Sequence, residues 1–266
     1  MLVVREILCI INNIGKSKTK KQLSKWAVFI FNATITAMPK RETLSIVLPI
    51  HNQAHQIPLT LMELDRFFAE QKFNWEVVVV NDGSDDNSKE IVKRFIKLMR
   101  RIKLVSNERS RGWGIAVKQG MQVAKGEWRI ILSTDQLVDI NELEKVLALF
   151  KKKTQVVLGY QQPHTFDSFI FTTWCKVLFL IKGLKSAVWP IQCYRSEVVE
   201  RIFPIAKLRG KRFDLEVLAL SQKMKYQIKE VGVTCKKKRD RISLIDCYKA
   251  FSQTFKIRRK LWNNNI

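Results

Sequence analysis

An α/β fold, with a mostly parallel sheet and helices on both faces, is predicted by three features of this 266-residue chain. From residue 44 onward, short apolar β-branched runs alternate with segments of helical apolar spacing, the pattern of strands buried on both faces beneath covering helices. The unusual polar residues cluster at the ends of those runs, where ligands of such sheets bind. With 46% hydrophobic residues, the chain is long enough to bury one sizeable core.

Taken in order, Leu-Ser-Ile-Val-Leu-Pro at 44–49 is a strand ended by proline, 59–71 has helical spacing, and 75–80 is a fully apolar strand. The turn Asn81-Asp-Gly-Ser-Asp-Asp-Asn87 opens a helix over 88–99, with Ser84 placed to cap it. A strand at 102–105, a glycine-bearing loop, a helix at 115–124 and an apolar strand at 128–132 follow. Beyond Ser133 the order loosens into a helix at 141–150, a strand at 155–160 and an amphipathic aromatic segment at 166–184. A helix at 213–224 and a strand at 226–233 complete the pattern. Residues 1–41 read as a basic N-terminal arm or extension, 42–240 as the catalytic-size domain, and 241–266 as a basic tail.

The formal net charge is +24 and it is uneven. Residues 201–266 carry 18 basic against 5 acidic residues, and residues 1–41 carry 8 against 1. Charge at the ends of the chain favours an anionic partner such as a phospholipid surface. A nucleic-acid partner is argued against, because no recognition motif interleaves aromatic and basic residues and the charge lies outside the patterned domain. The 5 cysteines form no C-x-x-C pair, so neither a disulfide framework nor a zinc site is indicated, and a reducing, cytoplasmic location is expected. No apolar stretch reaches the about 20 residues of a spanning helix, so any membrane association is expected to be peripheral.

Three segments at strand ends carry a resemblance. Ile46-Val-Leu-Pro-Ile-His-Asn52 resembles the opening strand of family 2 glycosyltransferases, with His51 in place of the usual tyrosine. Val77-Val-Val-Val-Asn-Asp-Gly-Ser-Asp85 resembles their V-V-D-D-G-S-x-D, with Asn81 at the first acidic place. Phe213-Asp-Leu-Glu216, followed by Ile228-Lys-Glu-Val-Gly-Val233, resembles elements of the dolichyl-phosphate glucose and mannose transferases. The resemblance spans roughly residues 43–240 and implies the GT-A (Rossmann-like) architecture.

It also implies an inverting hexosyltransferase at the cytoplasmic membrane face, with a UDP- or GDP-sugar as donor and a polyprenyl phosphate or related lipid as acceptor. Pro49, His51, Asn52, Asp82 and Gly83 are then expected to flank the nucleotide, Asp82 accepting from a base N–H. Asn107-Glu-Arg-Ser-Arg-Gly-Trp-Gly114 resembles a glycine element in which Arg111, Gly112 and Gly114 offer a guanidinium and bare amides to a diphosphate. At Ser133-Thr-Asp135 the family carries D-x-D, two carboxylates that hold Mg²⁺ or Mn²⁺; here Ser133 replaces the first and Asp135 keeps the second. Asp139 reads as a helix cap. Asp214 is the candidate base or acceptor-positioning carboxylate, with Lys211 and Arg212 to attract the acceptor phosphate. Two alternatives stay open: transfer to a saccharide hydroxyl in polysaccharide or glycolipid synthesis, and a noncatalytic nucleotide-sugar binder, which the incomplete D-x-D makes credible.

Overall fold

The computed structural model describes residues 43–71, 73–132, 138–162, 172–173, 185–187, 189–207, 209–210 and 213–235. The expected segment 166–184, apart from two residues, and both basic ends of the chain lie outside them. The chain divides between Arg41 and Glu42, and every described residue belongs to the second unit.

The order is β1 (Thr43–Ile50), α1 (Ile57–Ala69), β2 (Asn74–Asp82), α2 (Ser88–Leu98), β3 (Ile102–Asn107), α3 (Trp113–Val123) and β4 (Trp128–Leu132). A 3-10 turn (Ile140–Glu142) leads into α4 (Leu143–Leu147), followed by β5 (Val156–Gln162), β6 (Ile191–Arg195), α5 (Ser196–Ile202), α6 (Phe213–Lys223) and β7 (Ile228–Thr234). One seven-stranded sheet runs β3-β2-β1-β4-β6-β5-β7. β1 pairs in parallel with β2 and β4, β2 with β3, and β5 with β7, whereas β6 is antiparallel to both its neighbours.

Alternate residues of the central strands face two separate cores, as continuous apolar strands require. Val47, Val78, Val80 and Ile131 pack with residues of α3, α5 and α6 on one face. Ile46, Leu48, Val77, Val79 and Ile130 pack with residues of α1, α2 and α4 on the other. Each fully buried side chain of this size contributes roughly 1.5–3 kcal/mol by leaving water.

The sequence reading placed the early elements within a few residues. α1 starts earlier than its apolar spacing indicated because Pro58 suits a first turn, where no N–H is needed. β6 and α5 were not anticipated. The run Ile-Gln-Cys-Tyr-Arg is short and places Gln192 amid apolar neighbours, yet Gln192 is buried and accepts from the Tyr194 hydroxyl at 2.9 Å. Arg195 is structural too: it bonds Thr154 O, Glu127 and Lys151 O, and lies over the Trp128 ring.

Two ion-bearing knots brace this frame. Glu76 on β2 accepts from Ser45 Oγ and Lys125 N, each at 2.7 Å, and pairs with Lys103 on β3. Burial raises its carboxyl pKa, but those bonds outweigh it and hold the group below the ordinary range. Arg129, buried on β4, reaches Gly126 O, Met121 O and Glu200.

Candidate active site

The carboxyl ends of β1, β2 and β3 release three loops that are bonded into one surface. Pro49 is buried in β1 beside Val80, past the end of the β1–β4 ladder at Val47, where a residue without an N–H is tolerated. The next residue but one, His51, is exposed and its Nδ1 lies 2.9 Å from the Asp82 carbonyl. A carbonyl only accepts, so Nδ1 is the donor of this bond. Asn52 adopts φ 54°, a conformation Asn tolerates, and from it Asn52 N donates to Ser84 Oγ at 3.0 Å while Asn52 Oδ1 accepts from Asp85 N at 2.8 Å. Gln53 N to Ser88 Oγ and Ala54 N to Asp86 Oδ2, both 2.9 Å, extend the zipper.

Ser84 therefore does not cap α2. Its hydroxyl is taken by Asn52 N, and Asp86 Oδ1 accepts from Ser88 N at 3.0 Å in its stead.

Asp82 ends β2 with 5% of its surface exposed, and its side chain faces the loop after β3. Oδ1 accepts from Asn107 Nδ2 and Arg111 N, and Oδ2 from Ser110 Oγ and Gly112 N, all at 2.9 Å. Those four donors occupy the roughly four acceptor positions of a carboxylate. Burial raises this carboxyl and the four bonds lower it by more, so it sits below the ordinary carboxylate range. In this structure the accepting capacity of Asp82, expected to face a base N–H, is taken up by the protein's own loop. Gly83 allows the close approach, with φ 64° and with Arg109 C and Ser110 N each 2.4 Å from where a Cβ would stand.

The bare amides expected at the glycine element are also engaged. Gly112 N and Arg111 N go to Asp82, and Gly114 N donates to the Arg209 carbonyl at 2.8 Å. Backbone amides within a fold require partners, and here the protein itself supplies the acceptors. The Arg111 side chain remains exposed.

On the opposite side, α6 begins with Phe213, seated edge-on against Phe203, which in turn meets Tyr194. Asp214 follows, half-buried, while Glu216 is buried and accepts from Lys207 N at 3.0 Å. Burial first, then the charge of nearby Asp214, pushes the Tyr194 phenol well above its ordinary value. Lys211, Arg212 and Asp135 lie outside the described residues, as does Ser133. Asp139 caps the 3-10 turn by accepting from Asn141 N at 3.0 Å. Among the described residues no group of three or more His, Cys, Asp or Glu is placed to hold a metal ion.

Solved structures share this fold, which is GT-A. Glucosyl-3-phosphoglycerate synthase from Mycobacterium tuberculosis, in complex with UDP, aligns at TM-score 0.63 and 15% identity over 82% of this chain and 79% of that one. A mannosyltransferase from Pyrobaculum calidifontis, in complex with GDP-Man and Mn²⁺, aligns at TM-score 0.60 and 17% identity over 99% of this chain and 77% of that one.

The chain belongs to glycosyl transferase family 2, whose profile matches residues 45–207. It is similar to the dolichyl-phosphate beta-glucosyltransferase of Dictyostelium discoideum, with 26% identity over 71% of this chain and 65% of the relative. The Saccharomyces cerevisiae protein of the same name is 24% identical over 72% and 66%, respectively. The chain thus spans just under two thirds of the length of these relatives. In the described residues no helix is long and apolar enough to cross a membrane.

Proposed function

We propose that this chain moves a hexose from a UDP- or GDP-sugar to a polyprenyl phosphate or related lipid, with inversion, at the cytoplasmic face of a membrane. What carries the proposal is the similarity to dolichyl-phosphate beta-glucosyltransferases over 214 residues, joined to a family 2 fold whose strand-end loops are locked into one surface.

The acceptor's phosphate oxygen attacks the anomeric carbon as the bond to the donor's diphosphate oxygen breaks, inverting that carbon. A lipid phosphate is already ionised near neutrality, so the protein's task is alignment rather than deprotonation. Asp214 positions the acceptor, and Lys211 and Arg212 attract its phosphate. His51 and Asn52, at the rim of β1, border the base, and Arg111 supplies positive charge to the diphosphate. A Mg²⁺ or Mn²⁺ ion held by Asp135 and the diphosphate would stabilise the leaving nucleoside diphosphate. The basic run at 236–239 is assigned to anionic lipid, each exposed basic residue contributing about 1 kcal/mol there.

The test is transfer from a panel of UDP- and GDP-sugars into polyprenyl-phosphate vesicles, with Mg²⁺, Mn²⁺ or EDTA, beside Asp135→Ala. Metal-dependent glycolipid that the variant fails to make is the expected result. Saturable nucleotide-sugar binding with no product on any acceptor would select the second reading, a noncatalytic binder, which Ser133 at the first metal-ligand place favours. Sedimentation with phosphatidylserine vesicles, lost when residues 236–239 are neutralised, tests the membrane assignment.

A further inference from the structure

The loop after β3 is gripped from two sides. On one, Asp82 takes Asn107 Nδ2, Ser110 Oγ, Arg111 N and Gly112 N at 2.9 Å each. On the other, Gly114 N donates to the Arg209 carbonyl at 2.8 Å, and a Cβ on Gly112 would stand 2.7 Å from that same oxygen. Gly112 has φ 97°, which glycine alone adopts without strain. Arg209 belongs to the stretch that leads into α6. That stretch is also held by Lys118 Nζ on Pro204 O at 3.0 Å and by Lys207 N on Glu216 at 3.0 Å. The carboxylate that ends β2 and the first turn of α6 are therefore joined through a few residues of loop.

We propose that Asp82 is a positioning residue that acts through Gly112 and Arg209, keeping the loop after β3 in the one shape in which Gly112 fits beneath the Arg209 carbonyl, and so setting the turn that carries Asp214. The donor-side and acceptor-side halves of the surface are then ordered together. A carboxylate is required because four donors converge on it; a carboxamide keeps one accepting oxygen and turns an N–H toward two of the donors. The role in acceptor placement rests on the transfer reading, but the mechanical link does not.

Amide hydrogen exchange on the full chain without substrate tests the link directly. In Asp82→Asn and in Gly112→Ala, peptides covering 108–114 and 203–210 are both expected to exchange about tenfold faster or more, as loss of one to two hydrogen bonds implies, while β1 and β4 peptides stay unchanged. Ser110→Ala, which removes one side-chain donor and leaves the backbone alone, moves both regions the same way by less. Acceleration confined to 108–114, with 203–210 at wild-type rates, overturns the proposal. Should Asp82→Asn lose its fold, visible as fast exchange in β1 as well, Ser110→Ala decides by the same criterion. Kinetically, Asp82→Asn raises the KM of the lipid acceptor together with that of the nucleotide sugar; a rise for the donor alone overturns the proposal. A wild-type chain that transfers to no acceptor counts against the transfer reading and leaves the exchange rates to decide this one.

Discussion

The Gly112 amide donates to Asp82 Oδ2 at 2.9 Å across 30 positions of sequence, and this bond makes the turn after β2 and the loop after β3 one unit. Its strength depends on the charge of the carboxylate, so it is sensitive to acid. Burial raises the Asp82 carboxyl and its four donors lower it by more, leaving it depressed relative to the unfolded chain. A depressed carboxyl contributes stability above the unfolded value of about 3.9, and that contribution is lost as pH falls through the folded value. Wild-type protein is expected to melt above Asp82→Asn at about pH 6, with the gap closing below about pH 4. Melting curves at stepped pH check this; a gap undiminished in acid would remove charge from the explanation.

Gly83 is expected to tolerate no side chain. Its φ of 64° strains any L residue, and a Cβ would meet Arg109 C and Ser110 N at 2.4 Å, both backbone atoms that cannot swing aside. Gly83→Ala should cost roughly 2 kcal/mol or more, read as a lower urea midpoint. Gly210→Ala is the control, since nothing lies within 4 Å of its would-be Cβ, and it is expected to be neutral or slightly stabilising. Equal losses in both would show that chain flexibility, not the close approach, sets the effect.

Arg129 predicts a stability loss away from the loops. Its guanidinium spans Gly126 O at 3.3 Å, Met121 O at 2.8 Å and Glu200 at 3.2 Å, and so ties the end of α3 and α5 to β4. Glu200 is exposed and regains water, but the buried Met121 carbonyl does not, so Arg129→Met should cost about 2 kcal/mol. Arg129→Lys should not rescue it, because one ammonium lacks the planar fork that reaches three acceptors. Calorimetric melting of both variants checks the pair; full recovery in the lysine variant would show that charge alone suffices.

β1 and β2 were legible because their centres are runs of apolar, largely β-branched residues, and the Asp-Gly-Ser turn at the end of β2 was legible as the opening of the next helix. β6 was hidden by its own chemistry: Gln192 and Arg195 look like surface residues until their partners Tyr194 and Glu127 are known. The same limit applied to Asp82. Its residue type and place pointed to a carboxylate at work, but the donors that saturate it lie 25 to 30 positions on, and the carbonyl that takes the Gly114 amide belongs to Arg209. No local pattern encodes pairs so distant, so amides that look free for a ligand in sequence turn out to be engaged in the fold.

The metal requirement offers the sharpest test of the departure at residue 133. If Asp135 shares a divalent ion with the donor diphosphate, adding a second carboxylate two positions earlier should tighten the ion, because affinity for hard cations rises with the number of charged oxygens. Ser133→Asp is therefore expected to lower the Mn²⁺ concentration for half-maximal transfer on the order of tenfold, whereas Asp135→Ala abolishes metal-dependent transfer in either background. Titrating Mn²⁺ against glycolipid product in the four combinations of residues 133 and 135 separates the contributions. An unchanged Mn²⁺ requirement in Ser133→Asp would mean that these positions do not hold the ion, and the charge of the departing nucleoside diphosphate would then have to be met by basic side chains such as Arg111 and Arg212.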